Sequence, residues 1–134
     1  MNYFELTKKE HEVIEVFWQR DGEFTASDLI ALSPKRTWST KSIHVILNSM
    51  VEKGAMKVVS EIKIARTKAK VYRAALSQED YALMQYKHYF GGQAGKASSA
   101  NLVCAIYEKE KDKDRLIDEL EKFLSDEKKK RGLA

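Results

Sequence analysis

The sequence holds one cysteine, one proline and six glycines in 134 residues, and no apolar run approaching the roughly 18 to 20 residues that a membrane span needs. Each shortage excludes a class. A lone Cys104 can close no internal disulfide, and His11, His44 and His88 stand at no metal-ligand spacing, so a stapled secreted fold and a zinc finger both drop out and no cofactor is expected. Scarce Pro and Gly, together with 43% hydrophobic and 33% charged residues, exclude a collagen-like or globally disordered chain. What remains is a helix-rich globule with room for one ordinary domain, or a compact module with a small appendage. The start, Met1-Asn2-Tyr3-Phe4-Glu5, lacks a basic stretch followed by an apolar run, which predicts a cytoplasmic protein with no membrane partner.

Charge is unevenly spread. The net balance is only +4, but between Lys35 and Arg73 ten basic residues face two acids, Glu52 and Glu61, a local +8 that leaves −4 for the remainder. One cationic third in an otherwise acidic chain predicts contact with a polyanion through that third, against the plainer reading of a solvated basic face.

Helical spacing opens the chain. Val13, Ile14, Phe17 and Trp18 follow Thr7 on one face of an amphipathic helix that ends near Asp21-Gly22. Thr25 and Asp28 form a capping box ahead of Leu29, Ile30 and Leu32, and this second helix stops before Pro34. Ser39 can cap a third helix, whose Ile43, Ile46, Leu47 and Met50 keep the i, i+3, i+4, i+7 rhythm up to Lys53-Gly54. The pattern then changes period. Lys57 to Ile64 (KVVSEIKI) and Lys70 to Ala74 (KVYRA) are rich in β-branched and aromatic residues, which predicts a hairpin with a five-residue tip over 65–69. Three helices followed by a basic hairpin is the order of a winged helix.

Beyond it, Ser77 and Asp80 cap a helix carrying Tyr81, Met84, Tyr86, Tyr89 and Phe90, which ends at Gly91-Gly92. After a small, polar bend up to Ser99, Leu102, Val103 and Ile106 begin another helix, broken near Lys111 to Lys113. The last helix aligns Leu116, Ile117, Leu120, Phe123 and Leu124, with a frayed end at Lys128 to Arg131. Such helices cannot build a core alone and must pack on the first domain or on another chain, and a dimer is preferred. The expected fold is mainly α with a small β-hairpin, a winged helix-turn-helix domain over 1–76 followed by a helical dimerisation region over 77–134. The tyrosines Tyr81, Tyr86, Tyr89 and Tyr107 are expected at the hinge between them.

If the apolar side of the third helix faces inward, Lys41, Ser42, His44, Val45, Asn48 and Ser49 lie on its opposite or flanking surface. Such a helix fits the major groove, where Lys or His addresses guanine acceptors, Asn pairs with adenine and Val lies against a thymine methyl. Ser39 and Thr40, at the helix start, are placed for phosphate oxygens, and the hairpin's Lys63, Arg66, Lys68 and Lys70 for an adjacent backbone or minor groove. Trp38, just before this helix, is expected to pack inward. Enzymatic readings fare worse. Cys104 sits in the apolar pattern Leu102-Val103-Cys104-Ala105-Ile106 with no catalytic motif, which predicts a buried, inert thiol. The stretch from Phe90 to Ala97 has Phe and Ala where a phosphate loop requires Gly and Ser or Thr. The remaining rival is a winged-helix module that binds another protein, or nucleic acid without sequence preference.

Several segments in order, LTKKEHEVIEVFW (6–18), WSTKSIHVILNSMVEKGAM (38–56), RTKAKVYRAALSQEDY (66–81) and the later LVCAIYEKE, resemble the penicillinase-repressor family of small cytoplasmic winged-helix repressors. The resemblance spans nearly the whole chain and is most specific in the second segment. It implies a homodimer, joined through the C-terminal helices, whose recognition helices read half-sites of a palindromic operator on double-stranded DNA. By position it places Lys41, Ser42 and Val45 near bases, and Ser39, Thr40 and the Arg66 wing near phosphates. The chain departs from the family where His44 and Ser49 stand in place of frequent arginines, and where Ala105-Ile106 replaces a cleavable Asn-Phe pair. Paired Cys-x-Cys motifs, which serve copper release in one branch, are absent.

Overall fold

The computed structural model describes residues 2–90 and 99–133. The bend expected at 92–98 and the phosphate-loop-like stretch lie wholly or largely outside them. Six α-helices and one hairpin run in the order α1 (Lys8–Arg20), α2 (Ala26–Leu32), α3 (Ile43–Lys53), β1 (Met56–Ile64), β2 (Thr67–Ala74), α4 (Gln78–Phe90), α5 (Ser99–Lys109) and α6 (Lys113–Lys130). The chain divides into two compact units, Met1–Gly91 and Gly92–Ala134.

Local chemistry starts each helix of the first unit. Thr7 and Glu10 cap α1 reciprocally, the Thr7 N–H donating to Glu10 Oε1 at 2.8 Å and the Glu10 N–H to Thr7 Oγ1 at 3.2 Å. Thr25 and Asp28 do the same for α2, as their spacing predicts. Helix α3 stops at Gly54, whose φ of 91° suits glycine, and its N–H closes the last turn. The inward residues of the three helices, among them Ile14, Leu29, Ile43, Leu47 and Met50, form one core with Phe4, Trp38, Tyr72 and Leu76.

The hairpin is longer and tighter than the sequence suggests. Thr67, Lys68 and Ala69 pair with Ile64, Lys63 and Ile62, so the expected five-residue tip shrinks to Ala65-Arg66. Ala65 takes a left-handed φ of 56°, a role that Asn or Gly ordinarily advertises in sequence. A bulge between Val58 and Ser60 shifts the register near the base. Phe24 adds a further bridge, its N–H and carbonyl exchanging hydrogen bonds with Tyr72 at 3.0 and 2.8 Å. This bridge ties the α1–α2 connection to the wing, and a single paired residue leaves no periodic signal.

Helix α4 belongs to the first unit. Its Tyr81 ring packs near Phe4 and Trp18, while the Tyr81 hydroxyl accepts the Leu6 N–H at 3.0 Å. Gln85 donates to the Phe4 carbonyl and accepts from the Tyr3 hydroxyl, and His88 stacks on Tyr3 with ring centroids 3.6 Å apart. A side-chain hydrogen bond to Tyr89 pushes the Tyr3 phenol up to about 12. Tyr81 is packed against the core of the first unit, and Tyr107 lies under the Lys113 ammonium in the second.

In the second unit Asp112 caps α6 by accepting the Arg115 N–H at 3.1 Å, which explains the break after α5. Helix α6 runs on to Lys130, where the sequence suggested fraying, because Arg131 closes the last turn onto Glu127. Cys104 is exposed, contrary to the buried thiol its apolar neighbours suggested, and Val103 and Ile106 beside it are exposed as well.

Candidate nucleic-acid interface

The chain enters α3 through a single 3-10 turn, Thr40–Ser42. Ser39 stands before that turn in an extended conformation, and its side chain shares a 2.6 Å hydrogen bond with the Ser42 hydroxyl. It therefore does not cap the α-helix, as its position suggested. Arg36 organises the approach. Its guanidinium donates to the carbonyls of Ile30 and Ser33 at 3.3 and 3.1 Å and to Thr40 Oγ1 at 2.8 Å, and it lies over the buried Trp38 ring. This fork binds the end of α2 to the start of α3 and fixes the turn of the helix-turn-helix. Arg36 was legible only as one cation among ten.

Helix α3 then shows two faces. Ile43, Ile46, Leu47 and Met50 point into the core, while Lys41, His44, Val45 and Asn48 stand in solvent. Val45 is 71% exposed, an apolar side chain presented at the centre of a polar face with nothing beneath it. Ser42 is half-buried, and Ser49 lies on the flanking edge. Ser49 is half-buried too and donates to Glu10 Oε2 at 2.8 Å, so it faces α1.

Glu10 itself is 3% exposed. Burial pushes its carboxyl up, but the Lys53 ammonium, the Thr7 N–H and the Ser49 hydroxyl together outweigh that and hold it below the usual carboxylate range.

The wing supplies the second wall. Lys63 pairs with Lys68 and Glu61 with Lys70 across the strands. Lys68 and Lys70 share the face of β2 that carries the buried Tyr72, which turns them toward the helices. The result is a cleft of about 460 Å³ in which Thr40, His44 and Asn48 meet Thr67, Lys68 and Lys70, with Ser27 of α2 at its side. Thr40, His44, Asn48, Lys68 and Lys70 are thereby gathered from among the residues singled out in the sequence. Lys41 stands exposed in the 3-10 turn and Val45 on α3, Lys63 lies across from Lys68, and Arg66 forms half of the hairpin turn. Ser27 had no motif around it and was missed.

Like charges facing each other at Lys63 and Lys68 disfavour the hairpin unless an anion lies near them. Apart from Arg36 and Lys53, which are held internally, the cations between Lys35 and Arg73 make no ion pair among the described residues. Most of the positive charge of this third of the chain is therefore not compensated by direct pairing among the described residues. Among the described residues no group of three His, Cys, Asp or Glu side chains is placed to hold a metal ion, and no helix is long and apolar enough to cross a membrane.

The chain is 24% identical over 127 residues to the penicillinase repressor of Bacillus licheniformis, covering 95% of this chain and 94% of that protein. It is 36% identical over 61 residues to an uncharacterized 16.5 kDa protein in the ptsI 3′ region of Latilactobacillus sakei, a match spanning 45% of this chain and 41% of that relative. Among solved structures, the adhesin competence repressor of Streptococcus pyogenes is similar with a TM-score of 0.44 and 13% identity, over 92% of this chain and 82% of that one. The family model described as penicillinase repressor matches residues 6–126, from the start of α1 into α6. The chain belongs to the penicillinase-repressor family, a family of transcriptional repressors and not of enzymes.

Proposed function

We propose that the protein is a sequence-specific repressor that binds a palindromic operator as a homodimer, with α3 in the major groove and the wing on the backbone. Lys41, Ser42, His44, Val45 and Asn48 face the bases. Ser39, Thr40, Lys63, Arg66, Lys68 and Lys70 serve phosphates or the neighbouring groove. The observation that carries this reading is the exposed face of α3, where Val45 and Asn48 stand beside unpaired cations. A purely electrostatic binder has no use for a solvent-exposed valine at that place, whereas a thymine methyl gives it a partner.

The dimer rests on the second unit. Val103, Ile106, Phe123 and Leu124 are exposed there although their spacing is that of buried helix faces, and a second copy supplies the cover. Leu102, Leu116, Ile117 and Leu120 extend the same apolar sides. Binding selection from a random duplex pool at moderate salt tests both parts. A recovered palindrome with half-sites about one helical turn apart is the expected result. Recovery without a shared sequence would reject base reading and leave a nonspecific or protein-binding module.

A further inference from the structure

We propose that Glu10 is a positioning residue for base reading, setting the rotation of α3 about its own axis through Ser49 and Lys53. The inference rests on the operator-binding reading above.

Ser49 and Lys53 are one helical turn apart and so lie along the same edge of α3. Both end on one carboxylate: Ser49 Oγ donates to Oε2, and Lys53 Nζ pairs with Oε1 and also reaches the Glu5 carbonyl at 3.1 Å. That carboxylate is itself held in the first turn of α1 by the Thr7 N–H. Two consecutive turns of α3 are thus pinned to the start of α1 by directional bonds. The core contacts of Leu47 and Met50 press the helices together but are non-directional and hold rotation less tightly.

The pinned edge adjoins the exposed face. Asn48 directly precedes Ser49, and Val45 lies one turn before it. On a helix about 10–12 Å across, a rotation of about 15° carries a side-chain tip by about 1.5 Å. A hydrogen bond to a base edge does not survive such a displacement, whereas attraction to the phosphate backbone hardly changes. The predicted signature is therefore loss of selectivity without loss of general affinity.

The test compares affinity for the selected operator with affinity for a scrambled duplex of equal length at one salt concentration, and records the salt slope of each. Ser49→Ala is expected to lower the ratio about tenfold, the scale of one hydrogen bond to a charged group, with scrambled-duplex affinity and salt slope as in the wild type. Ser49→Thr, which keeps the hydroxyl, is expected to restore the ratio. A folded Ser49→Ala protein with the wild-type ratio would overturn the proposal, and so would a Ser49→Thr protein as unselective as Ser49→Ala. If melting shows Ser49→Ala to be unfolded, Lys53→Met, which removes the other arm, is judged by the same ratio. Absence of selectivity in the wild type would instead sink the operator-binding reading, and this inference with it, before any variant is made.

Discussion

The two units use the same sequence pattern to opposite ends. In the first, apolar residues at helical spacing disappear into a core: Ile14, Leu29 and Leu47 are fully buried. In the second, residues at equally regular spacing stay outside, with Ile106 52% and Phe123 60% exposed and no buried hydrophobic among the described residues there. Periodicity identifies a face that will be covered. It does not say by what, because burial is a property of the partner as well as of the helix. The described residues of the second unit include no fully covered hydrophobic side chain such as the first gathers into a core, and a second copy supplies the cover in the function proposed.

A charge placed on the uncovered face separates the two units most sharply. Phe123→Glu is expected to convert the protein to a monomer in sedimentation and to weaken operator binding by about 100-fold or more, because two linked half-site contacts become independent events. Lys122→Glu, on an exposed neighbour in the same helix, is expected to leave assembly unchanged. A dimeric Phe123→Glu protein would show that this face is covered by something else.

Truncating one side chain in each unit sharpens the contrast. Leu47→Ala opens a cavity in a filled core and is expected to cost about 3 kcal/mol in urea unfolding, independent of protein concentration. Ile106→Ala removes a half-exposed group on the uncovered face, so its cost is expected to vary with protein concentration, as stability linked to association does. Equal, concentration-independent costs would mean that the second unit is packed within its own chain.

Legibility in the sequence followed the same division. The α3 face was readable because its core positions obey one period, which fixes Lys41, His44, Val45 and Asn48 outward by geometry alone. Ser49 falls on the flanking edge between the faces, where the sequence does not show its partner, because Glu10 lies 39 residues away. The wing's length was underestimated because Thr67 to Ala69 look like tip residues until they are paired across a left-handed Ala65. Cys104 differs from its expectation for the reason that governs the second unit: its neighbours predicted a burial that the described residues of this unit do not provide.

The buried carboxylate gives the first unit a pH dependence. Its folded-state pKa lies below the ordinary value of 4.5, so the Glu10 contribution is fully present above that pH and fades as pH falls through the lower folded value. Urea midpoints of the wild type are expected to drop as pH is lowered from about 5 toward 3, and those of Glu10→Gln to start lower and fall less over this range. Parallel profiles would show that Glu10 gains nothing from its partners on ionising.

The smallest expected effect lies at the hairpin turn. Ala65 holds a φ of 56°, where its Cβ crowds the backbone, while Thr67 Oγ1 donates to the Ile64 carbonyl at 3.0 Å and closes the turn from the other side. Glycine relieves the crowding but adds freedom to the unfolded chain, so Ala65→Gly is expected to stabilise the first unit by only about 0.5 kcal/mol. Thermal unfolding of the two proteins measures it. A loss of stability of that size would mean that unfolded-state entropy outweighs the strain, and that the wing keeps alanine for rigidity at its cationic tip.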